Sequence, residues 1–413
     1  MLTTLYTLAT LLFIATPSAA DEWTQFRGPT GDGISTATHV PVNWTATEHV
    51  VWKQAIPGKG WSSLVLSRGK LYLTTADEVS ADVTSLRAVC VDAADGHVVW
   101  NVEVFQPDAS AVKEHHSKNS VASPSPIVTS DRLYVHFGHL GTAALDLNGN
   151  ILWRQSKLTY KPRHGNGGSP VLVGDLLVFS CDAAEDPFVV ALDVGNGEVR
   201  WKTPRNTTAA KTFSFCTPAV IELDGVTQVI SPGSGFVGAY NPRDGKEVWR
   251  VGYGEGYSVV PRPVFANGLL FVATGFDRPT LLAIDPKGAT GDVTEKHVTW
   301  TATKGAPLTP SMLVVKDELY TVTDNGVATC FDAQTGKVHW TKRLAGDFSA
   351  SPVYADGHIY FQNEAGTTYV VKAGTEYELL ATNDIEERTL ASLVPADNAI
   401  YLRSESQLWR IGN

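Results

Sequence analysis

The sequence predicts an all-β fold: an eight-bladed β-propeller with four antiparallel strands per blade, or seven blades if two weak units merge. Two periodic signals predict it. The first is a hairpin repeated almost unchanged at 91–100 (VDAADGHVVW), 192–201 (LDVGNGEVRW) and 331–340 (FDAQTGKVHW). Looser copies stand at 145–153, 240–249 and 284–300, the last stretched by an insertion. The second is a strand-opening Pro or Leu at a constant distance before an apolar strand position. The pairs are Leu64 with Tyr72, Pro126 with Tyr134, Pro170 with Val178, Pro263 with Phe271, Pro352 with Tyr360 and Leu393 with Tyr401. Pro218 and Pro310 open two more strands with longer turns. A period of roughly 45 residues with four short strands per unit is a propeller signature.

Each part of the hairpin has a physical reason. Gly accepts the positive φ that a tight hairpin turn needs. The leading Asp, Asn241 in one copy, can hydrogen-bond its own backbone two residues on and start the turn. The closing Trp is large enough to fill the gap between neighbouring sheets. These repeated Asp and Trp residues are therefore structural. Pro at the first residue of a strand costs no ladder donor.

In chain order, residues 1–20 form a secretory signal peptide. An apolar core at 8–15 precedes Pro17-Ser18-Ala19-Ala20, with cleavage expected after Ala20. No Cys follows for lipid attachment, and no membrane segment is expected, so the protein is periplasmic or secreted. Residues 21–49 form an irregular extension, expected to wrap the outside or a face of the propeller. Residues 50–413 are the propeller. Residues 50–56 supply the fourth strand missing from the last blade, which closes the ring and removes two exposed edges.

The net charge of −10 leaves no basic stripe for nucleic acid. The four cysteines form no CxxC pair or zinc pattern. Cys90 and Cys330 occupy equivalent buried strand positions, as free thiols. Cys181 and Cys216 fall near one end of adjacent repeats and are read as either free or disulfide-bonded.

The loops entering the inner strands, and those joining the second and third strands, share one face around the central channel. They bring Trp61; His115, His116, Lys118 and Asn119; His136 and His139; Arg163, His164 and Asn166; Lys211 with Phe213 and Phe215; Tyr257 with Arg262; and Glu386, Glu387 and Arg388. Five histidines (His115, His116, His136, His139 and His164) are expected at one mouth, as a polar funnel, a transition-metal site or plain structure. Their spacing matches no HxH or HExxH pattern. The run Gly165–Gly168 lacks the Lys-Ser/Thr of a phosphate loop and reads as a turn allowing close backbone approach. No Gly-x-Ser-x-Gly elbow singles out a nucleophile.

At these hairpins the chain resembles the PQQ-like β-propeller repeat family, over nearly everything after residue 50. The resemblance implies two kinds of role. Quinoprotein alcohol dehydrogenases hold pyrroloquinoline quinone and calcium in the funnel; BamB-like assembly lipoproteins use the propeller as a protein-binding platform. The chain lacks the adjacent Cys-Cys pair of the former and the lipid-bearing Cys of the latter. The expectation is thus a monomeric, non-catalytic platform for an envelope protein, peptide or carbohydrate, with no cofactor and a place in outer-membrane protein assembly one option. The alternative is a quinone- or metal-dependent oxidoreductase. The ligand-binding funnel would comprise Trp61, His115, His116, Lys118, Asn119, Arg163, His164, Asn166, Phe215, Tyr257, Arg262 and Arg388. The oxidoreductase would have its site around Trp61, His115, His116, Arg163, His164, Tyr257, Arg262 and Arg388.

Overall fold

A computed structural model describes residues 22–80, 83–112 and 115–412. The signal peptide expected at 1–20 lies outside the described residues. Eight antiparallel sheets stand around a central channel, each running from an inner to an outer strand. The inner strands are Val65–Ser67, Ile127–Val128, Val171–Val173, Ala219–Leu223, Val264–Ala266, Leu313–Val315, Val353–Ala355 and Val394–Ala396, defining blades 1 to 8. Val50–Ala55 pairs with Gln407–Gly412 as the outer strand of blade 8, so the ring closes through the N-terminal strand. Among the described residues no helix is long and apolar enough to cross a membrane.

The hairpin explains how blades dock. Its leading residue accepts an N–H two or three positions on: Asp92 from Ala94, Asp146 from Asn148, Asp193 from Gly195, Asn241 from Arg243 and Asp332 from Thr335. The Trp of one blade then donates its Nε1–H to a carbonyl in the hairpin of the next. Trp52 reaches Ala93, Trp100 reaches Leu147, Trp153 reaches Val194, Trp201 reaches Pro242, Trp300 reaches Ala333 and Trp340 reaches Gly374, all within 2.8–3.1 Å. Five of these rings lean on a Tyr or Phe of their own second strand, as in Tyr72–Trp100 at 6.0 Å; in blade 3, Val178 holds that position beside Trp201. Cys90 and Cys330 lie across the ladder from Trp100 and Trp340, where other blades place Ala144, Ala191, Ala239 and Ala283. All four cysteines, Cys181 and Cys216 included, are buried free thiols.

Two blades depart from the rule for visible reasons. The insertion in blade 5 supplies Gly291–Asp292, a fifth strand running parallel to Glu247–Gly252 of blade 4. There Trp249 is fully buried and donates to Gln228 of its own blade. Blade 7 has Ala381 where the Trp should stand. Trp44 of the extension fills the vacancy, stacking on Tyr360 at 6.4 Å.

The extension, expected on the outside or a face of the propeller, runs over the inner strands. Trp23 bridges Leu66 of blade 1, and Thr24 accepts the N–H of Val128 in blade 2. Arg27 then donates to the carbonyls of Met312 and Pro352, which enter blades 6 and 7, and Ile34 bridges Tyr354. Blades 2 and 6 are opposite in an eight-membered ring, so the chain crosses the axis and plugs the channel. Unpaired inner-strand carbonyls facing the axis give a guanidinium the acceptors it needs when buried.

Candidate functional site

Above this plug lies a blind funnel of about 650 Å³. Its floor is built by one residue per blade, placed just before the inner strand: Ser63, Ser125, Ser169, Thr217, Arg262, Ser311, Ser351 and Ser392. Backbone N–H groups donate from each blade to the hydroxyl of the next: Ser63 to Ser125, Ser125 to Ser169, Ser169 to Thr217, Arg262 to Ser311, Ser311 to Ser351, Ser351 to Ser392 and Ser392 to Ser63. These seven bonds, at 2.9–3.1 Å, stitch the inner ends together, with one break where Arg262 replaces a hydroxyl. Ser311 takes the floor position in blade 6, so its structural opener is Met312, two residues beyond the expected Pro310.

Arg262 is correspondingly a floor residue rather than a mouth residue. It is 3% exposed, and its guanidinium donates to Pro218 O at 3.1 Å and Phe26 O at 2.6 Å. Phe26, from the extension, lines the cavity beside it.

The wall is aromatic on the side of blades 3 to 5. Phe213 meets His164 at 5.5 Å, Tyr257 at 5.4 Å and Phe215 at 6.1 Å, and Tyr257 meets Phe276 at 5.8 Å. The interplanar angles are 54–74°, so the rings form a curved edge-to-face surface. Lys211 donates to the Tyr257 hydroxyl at 2.7 Å. Arg163 stands at the rim, exposed, lining both the funnel and a side cavity with His115 and Lys161.

The long loop entering blade 2 reaches across the mouth. Lys118 meets Glu364 of blade 7 at 2.8 Å and Asp324 of blade 6 at 3.6 Å. Burial pulls this ammonium down, but the two carboxylates outweigh it and hold it above its ordinary range. Ser117 O accepts from Arg388, whose guanidinium lies 5.3 Å from the Trp61 ring centre. Asn119 and the backbone of His116 both donate to His164 O, at 2.9 and 3.2 Å, knitting the blade 2 and blade 3 loops. Gly165, at φ +86°, leaves only 3.0 Å between the place of a Cβ and His115 or Asn119, which is the close approach expected of that run.

Of the residues singled out from sequence, Trp61, His116, Lys118, Asn119, Arg163, His164, Phe215 and Tyr257 line the funnel. Arg388 sits behind Trp61, and Asn166 lies in a small neighbouring cavity, accepting from Tyr160 at 2.9 Å. The five histidines do not all converge: His115, His116 and His164 meet where the blade 2 and blade 3 loops join, the last two with rings 6.0 Å apart, while His136 and His139 lie elsewhere. His136 is buried between blades, with Nδ1 2.8 Å from Thr142 Oγ1 and its ring 4.3 Å from Phe179. Burial, with a smaller push from His139, lowers its pKa to about 3. His139 uses Nε2 on Ala111 O and Nδ1 on the Asn166 amide. Among the described residues, no three of these histidines bring ligand atoms together; only the exposed turn group Asp92, Asp95 and His97 does. Both Asp95 and Asp92 are already bonded there, to His97 and Lys70.

Sequence reasoning passed over the floor hydroxyls, Phe26, Phe276 and Asp324. Phe276 and Asp324 sit on turns between second and third strands, which carry no motif. Asp324 is the only carboxylate lining the funnel among the described residues. Its oxygens already serve Leu308 N, Thr309 N, Thr309 Oγ1 and Lys118. Calcium takes roughly six to eight oxygens, with carboxylates prominent. The donor set therefore does not fit a calcium-bound quinone.

Comparison with known proteins gives one family and a set of folds. The family model described as outer membrane protein assembly factor BamB matches residues 35–208, 233–293 and 290–379. No curated protein matches the chain. BamB from Moraxella catarrhalis aligns at TM-score 0.60 and 13% identity, covering 87% of this chain and 96% of that one. The computationally designed Ika8 protein aligns at TM-score 0.60 and 12% identity, covering 87% and 100%. A europium-containing methanol dehydrogenase aligns at TM-score 0.48 and 10% identity, covering 86% and 89%.

Proposed function

We propose that this chain, which belongs to the family described as outer membrane protein assembly factor BamB, is an exported, non-catalytic binding platform. It acts as a monomer in the periplasm or outside the cell and holds a protein, peptide or carbohydrate of the envelope. The family's description supports an envelope setting, and a role in outer-membrane protein assembly is one form of this reading. The observation that carries it is the blind funnel. A concave cavity of about 650 Å³, with an aromatic wall on one side and a floor of hydroxyls, is of the size and make-up that binds ligands. Trp61, His116, Lys118, Asn119, Arg163, His164, Phe215 and Tyr257 serve as its binding residues, with Arg388 supporting Trp61 and His115 in the side cavity next to Arg163.

Two measurements test this reading. Native mass spectrometry of the chain from residue 21, after incubation with envelope extract, is expected to show an adduct that Phe213→Ala with Tyr257→Ala abolishes. Calorimetric titration with pyrroloquinoline quinone plus calcium is expected to be flat. Saturable quinone binding with dye reduction would overturn the platform in favour of an oxidoreductase.

A further inference from the structure

The floor of the funnel has a polarity that its structural role leaves unused. Each of the seven ring hydroxyls accepts one backbone N–H, and none donates its own hydrogen to a described protein atom. A hydroxyl carries one donor besides its acceptor lone pairs. All seven residues line the cavity, so the floor offers a ring of O–H donors to whatever enters.

Three buried guanidiniums stand around this floor. Arg262 occupies the eighth ring position. Arg27 donates to Met312, Pro352 and Asp32 carbonyls, and Arg403 to Ser62 and the Thr74 carbonyl. The hydrogen bonds these three make all go to neutral oxygens, and Asp32 is the one carboxylate acting on Arg27 and Arg262. Burial lowers Arg27 and Arg403 to about 9 and Arg262 to about 10, so each stays charged at neutral pH. Buried charge left without a counter-ion is costly, and an arriving anion relieves it.

The entrance repeats the pattern. Arg163 makes no ion pair or hydrogen bond among the described residues, and Lys211 bonds only the Tyr257 hydroxyl. Asp324 is committed to Lys118 and the 308–309 backbone. With a net charge of −10 overall, this concentration of donors and cations is local to the funnel.

We infer that the funnel binds a ring-bodied organic oxyanion, a pyranose acid or ester, with its anionic head on the hydroxyl ring and one face of its body against Phe213, Tyr257 and Phe276. Arg163 and Lys211 guide it in. The edge-to-face wall offers single aromatic faces to a puckered ring and no parallel pair to sandwich a flat one. This inference rests on the funnel being the ligand site.

The test is calorimetric titration of the chain from residue 21 with glucuronate, glucose 6-phosphate, glucose, phenyl phosphate and inorganic phosphate. Glucuronate or glucose 6-phosphate should bind one per chain, which of the two naming the head, and glucose at least about tenfold more weakly. Ser125→Ala with Ser169→Ala should abolish the preference for charge. The surface pair Arg163→Gln with Lys211→Gln leaves the floor intact and should weaken binding about fivefold or more. Glucose binding as tightly as its charged forms overturns the oxyanion site and leaves the funnel as a ligand site. Phenyl phosphate binding alone overturns the puckered body. Silence from both charged sugars while an envelope adduct persists overturns this inference; silence together with loss of the adduct overturns the platform as well.

Discussion

His116 and His136 belong to the same blade and to different media. His116 lines an open mouth, whereas His136 is sealed between blades 2 and 3 with its pKa lowered to about 3. An unfolded histidine titrates near ~6.5. Since the folded value lies below that, the unfolded chain takes up its proton first as pH falls. The stability held by neutral His136 is intact above ~6.5 and drains away as pH descends toward the folded value. Urea unfolding should therefore show a loss between about pH 7.5 and about pH 4.5 that His136→Gln reduces by about 2 kcal/mol. An unchanged loss would mean the ring is not sealed. Residue identity alone could not separate the two histidines, because only packing tells buried from exposed. The floor hydroxyls were equally plain in the sequence, standing directly before Leu64, Pro126, Pro170, Pro218, Pro352 and Leu393. A lone Ser signals no chemistry until the ring symmetry turns it toward the axis. Arg262 was read as a mouth residue for the same reason: it occupies a Ser position, and the ring buries it.

At the scale of one element, the hairpin was legible because its signal is local and repeated. Tight-turn glycines, however, do two different jobs: Gly336 belongs to that hairpin, whereas Gly268 joins Val264–Ala266 to Leu269–Ala273. Gly336 has φ +71°, and a Cβ there would lie 2.7 Å from the Trp300 ring docked from the preceding blade. Gly268 has φ +79° with nothing within 4 Å. Gly268→Ala should cost only the left-handed penalty, about 1 kcal/mol. Gly336→Ala adds overpacking against Trp300, for a total of about 2–4 kcal/mol. Urea midpoints of the two variants decide it, and equal losses would show that Trp300 yields freely. The stand-in of Trp44 for the missing Trp of blade 7 was not legible. It joins residues at opposite ends of the chain, and the pairing exists only once the ring closes.

The whole molecule is held by that closure and by the strand of chain that crosses it. A propeller contacts mainly neighbour to neighbour, so each blade is tied to two others. The extension breaks that locality, linking blades 1 and 2 to blades 6, 7 and 8 through the channel. Its irregular sequence could not announce this route, because the carbonyls it pairs with are supplied by distant inner strands. Arg27 is the residue on which the crossing turns: it is buried and donates to Met312 and Pro352 at 2.6 and 3.1 Å. Arg27→Met keeps the apolar stem but leaves those carbonyls without a donor and out of reach of bulk water. The expected loss is about 3 kcal/mol, the scale of buried hydrogen bonds to a charged group. Hydrogen exchange should show where the loss falls. Amides of Leu313–Val315 and Val353–Ala355 should exchange faster, while Val171–Val173, which the extension does not touch, should keep its protection. Uniform acceleration across all eight blades would instead mean that the ring opens as one unit, with the plug a passive filler.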